Sequence, residues 1–209
     1  EADVTLYVNS DQKYIVFKEG GISIGAMLFD ITGKVAYAES PAYVNLRVEG
    51  KKMKVQSFIS QLPSQFSNYL SDYEFHGDFT FTAIIKGLAG SNASPLFMVS
   101  FGLKDGDITR KKNDITLSHV SFNADFTNGS AHNLTTSRLA VNGFSSQLND
   151  GNISGDIVIS DFNRPEVALK LNASLDLKDI FLFVHTDTVK SASGQLVLHT
   201  NINGIIESP

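Results

Sequence analysis

The chain of 209 residues contains no cysteine and no tryptophan. Without cysteine there is no disulfide framework to stand in for a core, so stability must come from packing. The same absence removes thiolate ligands from any metal site. It fits cytoplasm or a bacterial envelope compartment better than a eukaryotic extracellular domain. Without tryptophan, the usual aromatic platform for sugars is missing. Positive charge is also scarce: 17 Lys and Arg stand against 22 Asp and Glu, a formal net charge of −5. That balance argues against a phosphate-binding or nucleic-acid surface. No apolar stretch approaches the ~20 residues of a membrane-crossing helix. No signal peptide is visible, and the sequence opens on Glu1 rather than Met. We read it as a mature segment, so a missing anchor says nothing about a longer protein.

What the sequence has in quantity is two-residue alternation. In Val167-Ala-Leu-Lys-Leu-Asn-Ala-Ser-Leu-Asp-Leu177, the residues Val167, Leu169, Leu171, Ala173, Leu175 and Leu177 fall on one side of an extended chain. Successive side chains of a strand point to opposite faces, so the pattern gives one apolar face and one polar face. At about 3.3 Å per residue it would span roughly 35 Å, about twice an ordinary strand. The same alternation recurs at Val4, Leu6 and Val8; at Val44, Leu46 and Val48, then Met53 and Val55; at Phe79, Phe81, Ala83 and Ile85; and at Phe97, Val99, Phe101 and Leu103. It continues at Leu139 and Val141, at Ile153, Ile157 and Ile159, and at Leu196, Leu198 and Ile202. Ile115 and Leu117 sit at odd positions while Val120, Phe122, Ala124 and Phe126 sit at even ones, which predicts a β-bulge around Ser118-His119.

Asp105-Gly106, Asn128-Gly129, Asn142-Gly143 and Asp150-Gly151 read as tight turns, because Asn-Gly and Asp-Gly tolerate positive φ. Strands joined by short turns are antiparallel neighbours, so the expected fold is all-β: a long antiparallel meander forming a curled sheet, groove or open sandwich. Gln61 to Tyr73 breaks the pattern. Leu62, Phe66, Tyr69, Leu70 and Tyr73 recur at helical spacing, and Pro63 suits a first helical turn. Leu177 to Phe183 reads either as a second short helix or as a fully buried strand. The whole is one elongated domain: N-terminal strands over 1–55, a short helical segment over 56–76 and the main meander over 77–209. The basic runs Lys51-Lys52-Met53-Lys54 and Arg110-Lys111-Lys112 are read as solvated hairpin ends.

Catalytic and metal-binding patterns are weak. Gly21-Ile-Ser23-Ile-Gly25 matches the G-x-S-x-G pattern, but that mechanism needs a strand-to-helix turn in a parallel sheet, and a glycine-flanked strand is the better reading. His76, His119, His132, His185 and His199 have no metal-ligand spacing, and neither Asp105-Gly-Asp107 nor Asp176-Leu-Lys-Asp179 has the oxygen density of a calcium loop. The triplets beginning at Asn92, Asn128, Asn133, Asn152 and Asn172 match a glycosylation pattern that a chain rich in Asn, Ser and Thr also makes by chance. No enzyme, metal or cofactor is expected.

Ser60-Gln-Leu-Pro63, Gly77-Asp-Phe-Thr-Phe81 running to Lys86-Gly87, Pro95-Leu-Phe-Met-Val-Ser-Phe101, Leu139-Ala-Val-Asn-Gly143, Gly155-Asp-Ile-Val-Ile-Ser-Asp-Phe-Asn-Arg-Pro165 and Ser193-Gly-Gln-Leu196 together resemble the C-terminal region of the AsmA-like family of Gram-negative envelope proteins. The resemblance spans about residues 56 to 204 and contains no catalytic motif. It implies a long curled sheet with an apolar groove, held at the inner membrane by an N-terminal segment and working in the periplasm. It further implies phospholipid handling or outer-membrane assembly, with phospholipid acyl chains as partners and no nucleic acid. The groove candidates are Val167, Leu169, Leu171, Leu175, Leu177, Ile157, Ile159, Phe79 and Phe81. The alternative reading is a structural or adhesive β-sandwich that binds protein or glycan through hairpin loops such as Ser145 to Asn152.

Overall fold

A computed structural model gives the architecture and describes residues 2–51, 53–61, 70–184 and 192–206. The strands are β1 (Ala2–Asn9), β2 (Tyr14–Ile24), β3 (Met27–Ala36), β4 (Ala42–Lys51), β5 (Met53–Lys54), β6 (Tyr73–Ala89), β7 (Leu96–Arg110), β8 (Ile115–Thr127), β9 (Arg138–Leu148), β10 (Gly151–Ser160), β11 (Glu166–Asp176) and β12 (Gln195–Ile205). They form one 12-stranded antiparallel sheet in which, apart from the short β5 on β6, each strand pairs with its neighbours in the sequence. The sheet is open and curled, and β1 and β12 are its two edges. No second sheet lies over it among the described residues, so a two-layer sandwich is not the architecture.

Register carries the alternation from strand to strand. Val167 lies opposite Ile159, which lies opposite Leu139, which lies opposite Phe126; Phe126 faces Val99, Val99 faces Ala83, and Ala83 faces Val48. Directly opposed residues share a face. The short apolar runs therefore join into one apolar face that crosses the whole sheet.

Two short helices pack on one end of that face. α1 (Val55–Ile59) brings Val55, Phe58 and Ile59 over β6, and α2 (Leu177–Phe183) brings Ile180 and Phe183 over β8 and β11. Beneath them lie Met53, Phe75, Phe79, Leu103, Leu117, Val120, Leu148 and Leu175, all buried. Phe58 stacks on Phe79 at 4.6 Å, and Phe79, Phe101 and Phe122 continue as an aromatic row across β6, β7 and β8 at 6.0 and 6.3 Å. Such pairs add about 0.5–1.5 kcal/mol each beyond the area they bury.

The structure resolves Leu177–Phe183 as a helix. Asp176 caps it, its side chain accepting from Lys178 N at 2.7 Å, so the opening alternation ends at Asp176 and Leu177 belongs to α2. The helix expected over 61–73 falls largely on residues 62–69, outside the described residues. At its far end Tyr73 already belongs to β6, and α1 lies before it.

Two of the four expected turns are bulges inside strands. Asp105-Gly106 lies within β7 and Asn142-Gly143 within β9. Pairing slips at His76/Asp78, at Leu103/Gly106/Ile108, at Ser118/Ser121/Asn123 and at Gly155/Ile157, a row of irregularities that crosses β6 to β10. The bulge expected at Ser118-His119 belongs to this row, and His119 takes φ 53°. Asp105 N donates to Ser121 Oγ at 2.9 Å and Gly143 N donates to Asp156 Oδ1 at 2.8 Å, so side chains hold the freed backbone, and His119 Nδ1 lies 2.6 Å from Asp105 Oδ1. A bulge bends its strand and raises the local twist, so a row of them creases the sheet.

Gly50 lies where packing leaves little room for a side chain. A Cβ on Gly50 would lie 1.9 Å from Met53 Sδ and 3.2 Å from Phe81 Cβ. Met53 is 2% exposed, so any shift it makes is into a packed core. Gly50→Ala is expected to cost about 1–3 kcal/mol by overpacking. Urea denaturation checks this; an unchanged midpoint would contradict the packing.

Candidate functional site

The candidate site is the part of the apolar face that the helices leave uncovered. Toward the end of the sheet where β4, β7, β9 and β11 begin, that face consists of Val44, Leu46, Ile85, Phe97, Val99, Phe126, Leu139, Val141, Ile157, Ile159, Val167 and Leu169, every one of them half-buried rather than buried. Its fully buried members at this end are the small Ala83 and Ala124. The cover found there among the described residues is Phe162, whose ring lies 5.8 Å from that of Phe126. At the two margins the face is wet: Leu6 is 48% exposed, Val8 52% and Ile202 51%.

The nine sequence-predicted groove residues divide into two groups. Val167, Leu169, Leu171, Ile157, Ile159 and Phe81 lie half-buried on the apolar face. Phe79 and Leu175 are buried in the core under the helices, and Leu177 is the first residue of α2. The apolar face also includes Ile15, Phe17 and Val35, which continue it from Val44 and Leu46 onto β2 and β3. Alternation does not signal them clearly, because Tyr14-Ile-Val-Phe17 is apolar throughout and the β2–β3 pairing slips between Phe17 and Gly21.

The two ends of the sheet are built differently. At the uncovered end, the loop over 128–137 is clamped by Asn128, which is buried; its Oδ1 accepts from Phe97 N at 2.8 Å and its Nδ2 donates to Pro95 O at 2.9 Å. That burial leaves the Asn128 triplet no free amide. The adjoining loop over 161–165 is tied on through Asp161 N to Ser137 O at 3.0 Å and Phe162 N to Leu134 O at 2.8 Å. Tyr37, Tyr43, Leu88, Met98, Leu134 and Ile206 are exposed at this end, as Ile24, Leu28, Leu182, Val184 and Val197 are at the other.

At the covered end, α2 is latched by its C-terminal carbonyls, the groups a helix cannot bond internally. Arg110 Nη1 donates to Leu182 O at 2.7 Å, Asn113 Nδ2 donates to the same oxygen, and Tyr73 OH donates to Phe183 O at 3.1 Å. Arg110 is 5% exposed. It belongs to the apolar face opposite Tyr73 and Ile115 and is not the solvated hairpin residue its basic neighbours suggest. Met53, inside the other basic run, is likewise buried.

A cleft of 640 Å³ beside α1 is lined by Lys54, Gln56, Glu74, Phe75, His76, Gly77 and Lys111. Its cations are engaged, Lys54 by Asp78 and Lys111 by Ser71 O. Ser23 lies within β2 and not at a strand-to-helix turn. Among the described residues no three His, Asp or Glu side chains gather as metal ligands, and no helix is long and apolar enough to cross a membrane; His185 lies outside the described residues. No family model matches the chain, and neither the curated proteins nor the solved structures contain a significant match.

Arg110→Ala is expected to cost about 1.5–3 kcal/mol, the range for a hydrogen bond from a charged donor. Amide exchange should quicken at residues 180–184 before it does in β7 and β8. Uniform exchange across these segments would mean that α2 is held by its apolar side chains alone.

Proposed function

We propose that the chain is a non-enzymatic lipid-handling module whose uncovered apolar face holds phospholipid acyl chains. The observation that supports this most directly is a continuous apolar face on a single-layer sheet, with protein over one end of it. A face of this kind costs free energy in water, and an acyl chain lying on it recovers about 0.8 kcal/mol for each CH₂ removed from solvent. No charged group is needed for that attraction, in keeping with the net charge of −5. At about 4.8 Å between strands, the eleven strands along the sheet give an apolar strip roughly 48 Å long. The strip is long enough for whole acyl chains.

The resemblance to the AsmA-like family supports the same reading and extends it. On that basis we propose a periplasmic location, tethering to the inner membrane through a further segment, and a part in phospholipid movement or outer-membrane assembly. The exposed Tyr37, Tyr43, Leu88 and Leu134 at the uncovered end suit a membrane-facing rim, since tyrosine favours the boundary between hydrocarbon and water.

Protein purified without detergent should carry phospholipid visible by native mass spectrometry. It should also take up a fluorescent fatty acid that phospholipid displaces. Ile157→Glu, on the apolar face, should abolish uptake, whereas Val158→Glu, on the opposite face of the same strand, should leave it intact. A lipid-free wild type that takes up no fatty acid, or equal uptake by both variants, would refute the reading.

A further inference from the structure

Among the described residues the sheet has two free edges, and they differ. β1 is 8 residues long, and its pairing with β2 slips between Thr5 and Leu6. β12 is 11 residues long and pairs with β11 without a slip from Gln195 to Ile205. Natural edge strands are blunted by a charge, a proline, a bulge or short length, because a straight row of unpaired N–H and C=O groups recruits another strand. β12 has none of these protections. It contains no Asp, Glu, Lys, Arg or Pro. It also exposes apolar side chains on both faces, Val197 at 64% and Ile202 at 51%.

We propose that β12 is a dimerisation edge that pairs antiparallel with β12 of a second copy of this chain across a two-fold axis. A second copy is the fitting occupant because the strand is compatible with itself: without Asp, Glu, Lys or Arg, self-pairing sets no such charge against its like. The other edge fits less well, since β1 is shorter and slipped. The midpoint of Gln195–Ile205 is Thr200, so an axis at Thr200 uses the entire strand. In that register Leu198 meets Ile202 twice and Leu196 meets Gly204, on the apolar face. Val197 meets Asn203 and His199 meets Asn201, on the opposite face. Opposed residues of antiparallel strands share a face, so the apolar strips of both copies fuse into one of twice the length. The inference rests on the edge alone and stands whether or not the strip carries lipid.

Sedimentation velocity over a concentration series tests it on the wild-type chain, which is expected to be a dimer that dissociates on dilution. Val197 and Asn203 are exposed, so charges there spare the fold, which circular dichroism verifies. V197K/N203K sets lysine against lysine twice and should dimerise about tenfold more weakly or worse, whereas V197K/N203E sets lysine against glutamate and should dimerise like the wild type. With no other cysteine in the chain, Thr200→Cys should give a disulfide-linked dimer on mild oxidation. A wild type that stays monomeric at every concentration overturns the proposal. So does equal dimerisation of the two charged variants, and failure of Thr200→Cys to cross-link within a dimeric sample overturns the register.

Discussion

A sheet of one layer has two faces, and an alternating sequence makes one of them apolar. Every other feature of this molecule follows from how that face is dealt with. A second sheet would bury it outright, as in a sandwich. Here, among the described residues, two short α-helices of five and seven residues cover one end. The stable core therefore sits under the helices, where Phe58, Phe79, Phe101 and Phe122 are in contact. The remainder of the face is built from the same residue types, yet among the described residues it has little over it. This division of one surface into a packed end and an unpacked end is the basis of the functional reading.

The strands were legible in the sequence because period-two alternation is a local signal that tertiary packing reinforces. Val167 to Leu175 and Phe79 to Ile85 read correctly for that reason. The parity change at Ser118-His119 was legible too, because a bulge leaves an arithmetical trace. Asp105-Gly106 and Asn142-Gly143 misled because the feature that makes Asn-Gly or Asp-Gly a turn, tolerance of positive φ, serves a bulge equally well. Gly143 indeed has φ 61° and Asp105 φ 50°. Only pairing partners far along the chain decide between a turn and a bulge, and a local pattern does not contain them.

The site was legible as a face but not as an opening. Phe79 and Ile157 look alike in sequence, each apolar and in phase with its strand. Phe79 lies under Phe58, whereas among the described residues neither α1 nor α2 reaches Ile157. Arg110 was misread for a related reason. Its two basic neighbours suggested a solvated hairpin end, whereas its own position in β7 is in phase with Ile108 and turns it toward the carbonyls of α2, a partner 72 residues away.

The nearest-neighbour connectivity of the sheet has a consequence for how the molecule forms and changes. Apart from the helices, each strand touches mainly the strands before and after it in the chain. Loop closure is therefore short at almost every step, which favours rapid, hairpin-by-hairpin growth from any starting point. The arrangement is close to one-dimensional, as in repeat proteins, where each unit depends chiefly on the next. Two strands could be gained or lost between existing hairpins without reordering the others. Such a sheet has a length that evolution can adjust by about 10 Å at a time, at little risk to the fold.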